Sequence, residues 1–336
     1  MTSVSSYSVS SLYDSTGKIV SNIAVVIPCY QEKEHILSVL SEIGQEVTSV
    51  YVVDDACPDN TGDLVLNQCS DNRVVILRNK KNLGVGGATK VGYQKALEDG
   101  AKYLVKLDGD GQMSPSLIPS LLKPLINGEA DYAKGNRFQS LSSVSQMPKG
   151  RLLGNFVLSF ASKLSSGYWN IFDPTNGFTA IHAETAGRLP MNKISNRYYF
   201  ESDMLFHLGL VRAVVKDVPM DAHYGDEVSG ISIPRVVPEF AFKHYINTWR
   251  RIFVTYFLRE TNIATLQLIF GIFLLLFGIT FGAINWVASD ISGITASAGT
   301  VVLSALPIII GSQLIISFLT FDTRNVPKVP IQKSQN

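Results

Sequence analysis

Three stretches of this chain place acidic side chains where an apolar run stops. Pro28-Cys29-Tyr30-Gln31-Glu32 closes the run that begins at Ile23. Asp54-Asp55 closes the run from Val50 and leads into Asp59, Asn60 and Thr61. Asp108-Gly109-Asp110-Gly111-Gln112 closes the run from Tyr103. Asp108 and Asp110 suit a hard divalent cation such as Mg²⁺, because two carboxylates on a tight Gly-containing turn supply some oxygens and a nucleotide diphosphate supplies others. A cation there would neutralise the charge that builds on a departing diphosphate. Taken alone, Asp-Gly-Asp-Gly reads equally as a turn into Pro115, and paired Asp residues commonly serve turns and helix N-caps. Three such ends on one edge of a sheet are harder to explain as turn chemistry.

The elements that must position them follow an alternating pattern. Residues 23–28, 50–55, 74–78 and 103–108 are continuous apolar runs ending in Pro, Asp or Arg, as expected for central strands of a parallel sheet covered on both faces. Between them, 32–43, 84–100 and 114–128 have helical patterns. The alternation predicts an α/β domain with a doubly wound, Rossmann-like sheet and ligands at the carboxyl ends of its strands. Gly84-Val85-Gly86-Gly87 is not a dinucleotide fingerprint. It follows the third strand rather than the first, so close backbone packing or donor binding is the expected role.

Composition sets the context. A net charge of +1 over 336 residues gives no surplus of Lys and Arg for a nucleic-acid partner. Cys29, Cys57 and Cys69 have no metal-ligand spacing, and their odd number argues against a disulfide framework. Residues 1–22 are Ser-rich and lack the apolar core of a signal peptide, which reads as a flexible tail. Two uncharged runs, Ile263–Ala288 and Ala296–Phe321, are each about 26 residues, or roughly 39 Å as helices, against a bilayer core of about 30 Å. Lys243, Arg250, Arg251 and Arg259 precede the first, and Arg324, Lys328 and Lys333 follow the second. The loop between them has no Lys or Arg. That distribution predicts a membrane hairpin with both termini cytoplasmic. Within Pro238–Glu260, Phe240, Phe242, Tyr245, Ile246, Trp249, Ile252, Phe253, Tyr256 and Phe257 recur at roughly helical spacing while Lys243, Arg250, Arg251 and Arg259 reach water or headgroups, the pattern of an interfacial helix. The expected organisation is therefore a tail (1–22), a cytoplasmic catalytic domain (23–236), an interfacial amphipathic helix (237–260), two transmembrane helices (261–321) and a cytoplasmic tail (322–336).

The motifs P-C-Y-x-E, V-D-D-x-x-x-D-x-T, N-x-G-x-G-G-A, L-D-G-D-G-Q and G-N-R-F, in this order over residues 23 to about 235, resemble family two of the inverting nucleotide-sugar glycosyltransferases. Within it the chain looks most like the polyprenyl-phosphate branch, the dolichyl-phosphate mannose synthases and bactoprenol glucosyltransferases. Its two-span tail is similar to that of the bacterial members, which favours a bacterial inner membrane over the endoplasmic reticulum. The resemblance implies a UDP- or GDP-linked sugar donor, a polyprenyl phosphate acceptor and Mg²⁺ or Mn²⁺. It leaves the sugar undefined and is compatible with a homo-oligomer.

Residue by residue, the resemblance implies nucleotide contacts from Pro28, Tyr30, Glu32, Asp54 and Asp55. Asp108, Asp110 and Gln112 become the metal and diphosphate site, and Arg137, Arg151 and Asn155 the acceptor-phosphate site. Guanidinium forks bind phosphate oxygens bidentately. Where the synthases carry an Arg before Y-G-E-S, this chain reads Ala222-His223-Tyr224-Gly225-Asp226-Glu227-Val228-Ser229, and Arg235 is the substitute cation. Asp173-Pro174-Thr175-Asn176-Gly177 has no role assigned by the resemblance and reads as well as an Asx-Pro turn. Asp203 occupies the place of a general base in members that glycosylate a hydroxyl, and transfer to a lipid-linked saccharide would require it. A phosphate acceptor needs no base, and Asp203 would then orient other groups. A third reading is a catalytically inactive membrane scaffold that keeps the fold.

Overall fold

The computed structural model describes residues 21–138, 149–220 and 233–333, without the side chains of 149–153 and 233–236. All but the last two residues of the expected N-terminal tail, the Ala222–Ser229 stretch, and the Arg151 and Arg235 side chains lie outside the described residues. The chain forms two compact units: residues up to Thr248 with those from Pro327 on, and Trp249–Val326.

The first unit is built on a seven-stranded sheet among the described residues. Its strands are β1 (Ile23–Cys29), β2 (Ser49–Asp54), β3 (Val74–Arg78), β4 (Tyr103–Lys106), β5 (Tyr132–Asn136), β6 (Thr179–His182) and β7 (Val215–Pro219), in the order β3-β2-β1-β4-β6-β5-β7. The helices that connect or flank them are α1 (Ile36–Ser41), α2 (Thr61–Gln68), α3 (Val85–Glu98), α4 (Ile118–Ile126), α5 (Lys149–Ser166), α6 (Ala183–Arg188), α7 (Phe200–Leu210) and α8 (Ile233–Phe253). β1 is buried along its whole length, as its uninterrupted apolar sequence requires. Gly92 of α3 lets that helix settle onto Val26 and Val53.

The sheet is mixed rather than wholly parallel. β1, β2, β3 and β4 pair in parallel, but β6 enters between β4 and β5 antiparallel to both. Thr179 of β6 is therefore in register with two lysines at once, Lys106 of β4 and Lys134 of β5. Both lysines are fully buried.

The second unit contains the C-terminal end of α8, a π-helical segment (Val254–Arg259), α9 (Ile263–Ser292) and α10 (Ala298–Arg324). α9 and α10 are 30 and 27 residues long with mean hydropathy 2.3 and 2.2, sufficient to cross a bilayer, and are candidate membrane spans. Glycines bring them together: a Cβ on Gly278 would lie 2.7 Å from the Ser304 carbonyl, and one on Gly311 would lie 2.9 Å from that of Gly271.

One expectation about this region is corrected. Arg251 does not reach water or headgroups. It is buried and clasps Asp322 of α10 with both Nη atoms (2.7 and 3.0 Å), while the Tyr256 hydroxyl donates to the same carboxylate at 2.6 Å. Tyr256 is likewise wholly buried rather than interfacial. A carboxylate ending an apolar helix needs a cation, and the helical spacing from Phe242 carries Arg251 to the opposite face.

After α10 the chain rejoins the first unit instead of trailing off as a tail. The backbone amides of Ile331 and Gln332 donate to the Asp131 carboxylate at 3.0 and 3.3 Å, and the Gln332 side chain donates to the carbonyls of Leu125 and Ala130.

Candidate active site

The ends of β1, β2 and β4 meet. Register pairs Cys29 with Asp54, and the Asp55 amide donates to the Cys29 carbonyl at 3.0 Å. Gly109 sits against Cys29 and Glu32, and Gly111 faces His35. Burial first, then the nearby carboxylates of Glu32, Asp54 and Asp108, push the Cys29 thiol well above its usual range. The three predicted acidic ends thus share one place. Gln31, Ala56 and Asn60, all in these turns, adopt left-handed backbone (φ 65°, 55° and 59°). Non-glycine residues held there store strain of the kind that gathers at functional sites.

Each carboxylate has a defined partner. Asp54 accepts from the Cys57 amide at 2.8 Å. Asp55, 2% exposed, accepts from the Asn79 side chain (2.7 Å) and from the amides of Leu83 (2.9 Å) and Gly84 (2.7 Å), so it fixes the loop ahead of α3. That loop seats the glycine cluster: the Gly87 amide donates to the Asn196 carbonyl, and a Cβ on Gly86 would meet the Ser195 carbonyl at 2.6 Å. Close backbone packing accounts for these glycines. Tyr30, next to Cys29 at the end of β1, is exposed.

Asp110 accepts from the Gln112 amide at 2.9 Å, a local turn that aims the second carboxylate. Asp108 accepts from the Lys106 ammonium at 2.6 Å, and that ammonium also reaches Glu201 at 3.2 Å and the Gly177 carbonyl at 3.3 Å. Burial pulls the Lys106 pKa down, but Asp108 and Glu201 outweigh it and hold it above the ordinary lysine value. Among the described residues no group of three or more His, Cys, Asp or Glu is arranged to hold a metal ion. The donor set fits a cation completed by a ligand: two hard carboxylates at a partly open strand end, with the remaining oxygens from a diphosphate.

Of the segment Glu201-Ser202-Asp203, it is Glu201 that the structure brings to the Asp108 end. Asp203 lies behind it. Its carboxylate accepts from the Ser195 amide and hydroxyl (both 2.8 Å) and from the Asn247 side chain (3.1 Å), linking α7 to the preceding loop and to α8.

A second cluster lies at the ends of β5 and β7. Arg137 makes a side-on pair with Asp173, Nε to Oδ2 at 2.8 Å and Nη2 to Oδ1 at 3.0 Å. Asp173 is 1% exposed, so the loop at 173–177 is more than a turn: it anchors this guanidinium. The Lys134 ammonium donates to the Asn176 carbonyl in the same loop, and burial lowers its pKa to about 8. Asp217, pushed up to about 6 by burial, accepts from Asn136 and the Phe172 amide. Asn155 lies on α5, two turns into a helix whose exposed face carries Phe156, Val157 and Phe160.

Sequence reasoning missed Lys106, Glu201 and the partner role of Asp173. A lysine inside the apolar run Tyr-Leu-Val-Lys-Leu was the available signal, since a charge in a central strand must find an opposite charge nearby.

The chain belongs to glycosyl transferase family 2, which matches residues 24–189. It is a glycosyltransferase of the kind that uses nucleotide-sugar donors. Among its relatives, it is 30% identical over 202 residues to an undecaprenyl-phosphate mannosyltransferase from Micrococcus luteus, covering 59% of this chain and 82% of that protein. It is 29% identical over 216 residues to a UDP-N-acetylglucosamine–dolichyl-phosphate N-acetylglucosaminyltransferase from Methanococcus voltae, covering 60% and 86%. In fold it is similar to glucosyl-3-phosphoglycerate synthase from Mycobacterium tuberculosis in complex with Mn²⁺, UDP and phosphoglyceric acid. The TM-score is 0.52 at 16% identity, over 69% of this chain and 78% of that one. The architecture is thus the mixed-sheet α/β nucleotide-sugar transferase fold.

Proposed function

We propose that this enzyme transfers a sugar from a UDP- or GDP-linked donor to a polyprenyl phosphate, with inversion at the anomeric carbon, assisted by Mg²⁺ or Mn²⁺. The observation that carries the reading is the opposition of two clusters on one sheet: carboxylates at β1, β2 and β4, and the Arg137–Asp173 pair at β5. The names of the relatives, whose acceptors are dolichyl and undecaprenyl phosphates, add support.

In this reading Pro28, Tyr30, Glu32 and Asp54 line the nucleotide pocket, and Asp55 shapes it through the loop it holds. Asp108 and Asp110, with Gln112, would hold a divalent cation, which when bound would neutralise charge on the leaving diphosphate. Arg137, Arg151 and Asn155 take the acceptor phosphate, aligning its oxygen behind the anomeric carbon. That oxygen is already anionic, so no proton need be removed. Transfer to a hydroxyl would need an accessible base, and Asp203 already accepts three hydrogen bonds within the fold. Positioning and charge stabilisation therefore supply most of the rate. The catalytic domain and both termini lie in the cytoplasm by the charge distribution at the flanks of α9 and α10.

The test is a screen of labelled UDP- and GDP-sugars against undecaprenyl and dolichyl phosphate in detergent. Expected is a lipid-extractable product from one donor with Mg²⁺ or Mn²⁺ and none with EDTA. Transfer to a saccharide hydroxyl but not to the lipid phosphate would overturn the reading.

A further inference from the structure

Lys106 is a charge that the reaction does not call for. It is fully buried and spends its three N–H donors on Asp108 (2.6 Å), Glu201 (3.2 Å) and the Gly177 carbonyl (3.3 Å). Glu201 in turn has Lys106 as its ion-pair partner among the described residues. An ammonium at 2.6 Å occupies the same carboxylate that a dication would need. It cannot swing out to water, because its side chain is 1% exposed and β4 is buried along its length. When a cation draws on Asp108, the ammonium is repelled by that cation and must keep a carboxylate within the interior.

We propose that Lys106 and Glu201 form a buried relay that sets how tightly the Asp108 end binds a divalent cation. Without the cation, Lys106 neutralises Asp108 and keeps the empty site from accumulating unpaired negative charge. With it, Glu201 takes over the ammonium and releases Asp108. Both are positioning residues that act through Asp108. Gly177 belongs to the device, since any Cβ there would collide with Asp108 Oδ2 and the Lys106 ammonium. The relay rests on the metal reading of Asp108 and Asp110 and goes beyond it, because it makes cation affinity depend on two residues that touch no ligand.

The experiment measures Mn²⁺ affinity by electron paramagnetic resonance of the free ion, on the full chain in detergent, with UDP or GDP present. Circular dichroism and thermal unfolding check the fold of each variant. In Glu201→Gln the ammonium has Asp108 as its one remaining carboxylate partner among the described residues, so Mn²⁺ should bind about tenfold more weakly, the scale of one added charge contact. In the double variant K106M/E201Q both charges are gone and Asp108 is unshared, so affinity should return to wild type or exceed it. Should Glu201→Gln fail to fold, the double variant decides alone. Wild-type affinity in Glu201→Gln, or a double variant as weak as the single, would overturn the relay while leaving the metal site standing. Mn²⁺ binding that is absent in the wild type, or unchanged in Asp110→Asn, would remove the metal reading and the relay with it.

Discussion

At the ends of β1 and β2 the carboxylates are held largely by backbone N–H groups, whereas at β5 and β7 the charged groups meet partner side chains as well as backbone. Asp54 and Asp55 accept from the amides of Cys57, Leu83 and Gly84. Asp173 is matched by the Arg137 guanidinium, and Asp217 by the Asn136 side chain together with the Phe172 amide. Backbone donors orient a carboxylate without cancelling its charge, so Asp54 and Asp55 keep theirs, while Asp108 at the neighbouring β4 end is shared with the Lys106 ammonium. Side-chain cations cancel charge locally and leave a guanidinium fixed in direction. The proposed function assigns a cation with a diphosphate to the first half of the sheet and an anion to the second.

The contrast breaks most severely if the proposed cation-binding end is neutralised. Asp110→Asn should cut turnover about a thousandfold or more while circular dichroism stays unchanged, because the leaving diphosphate loses its counter-charge. Near-normal turnover with Mg²⁺ or Mn²⁺ would erase the distinction between the halves. Next in size, Arg137→Ala should raise the acceptor KM ten- to a hundredfold, about 1.5–3 kcal/mol, with the donor KM unmoved. Asp173→Asn should shift it the same way but less, because the guanidinium keeps its charge and loses its anchor. Equal losses for donor and acceptor would show that the two halves are not separate.

A smaller effect concerns a third way of holding a side chain, buried and uncharged. His244 of α8 contacts the Ser165 hydroxyl at 2.8 Å and the Tyr199 hydroxyl at 3.1 Å, and its Nε2 is buried without a hydrogen-bond partner. Burial lowers its pKa from 6.5 to about 4. Between those values the unfolded chain binds a proton that the folded chain refuses, so stability falls as pH drops through this window. The loss should be roughly 2 kcal/mol by pH 5, read by denaturant unfolding, and His244→Gln should flatten the pH dependence. The least is expected from Trp249→Ser with Phe253→Ser and Phe257→Ser, three exposed aromatics on the proposed interfacial face. About fivefold poorer use of long-chain acceptors, with a short water-soluble prenyl phosphate spared, is the outcome an interfacial role requires. Equal loss with both acceptors would leave these residues a purely structural part.

Legibility in the sequence followed the same division. The apolar runs predicted β1, β2, β3 and β4 to within a residue or two, because a strand buried on both faces has few alternatives. The antiparallel β6 was not foreseen. Thr179–His182 is a short stretch whose direction depends on where the chain re-enters the sheet, and periodicity does not encode that. At the site, Asp54, Asp55, Asp108 and Asp110 stood out because each sits where a strand stops. Lys106, Glu201 and Asp173 act through partners up to about a hundred residues away, which spacing alone does not pair. Arg251 shows the converse: its helical position was read, but the face it occupies depends on Asp322.

The bonds from Ile331 and Gln332 to Asp131 have a consequence for topology. The sheet-bearing unit is discontinuous in sequence, leaving at Thr248 and resuming at Pro327, so the apolar hairpin is an insertion within it rather than an appendage. A chain whose two ends are stitched into one body can pass through a bilayer only an even number of times: if α9 crosses, α10 must bring the chain back. A soluble version made by stopping at Thr248 would strip the buried Asp131 of two donors and expose the surface they cover. Excising the hairpin and splicing residue 248 to 327 through a flexible linker would keep that closure intact.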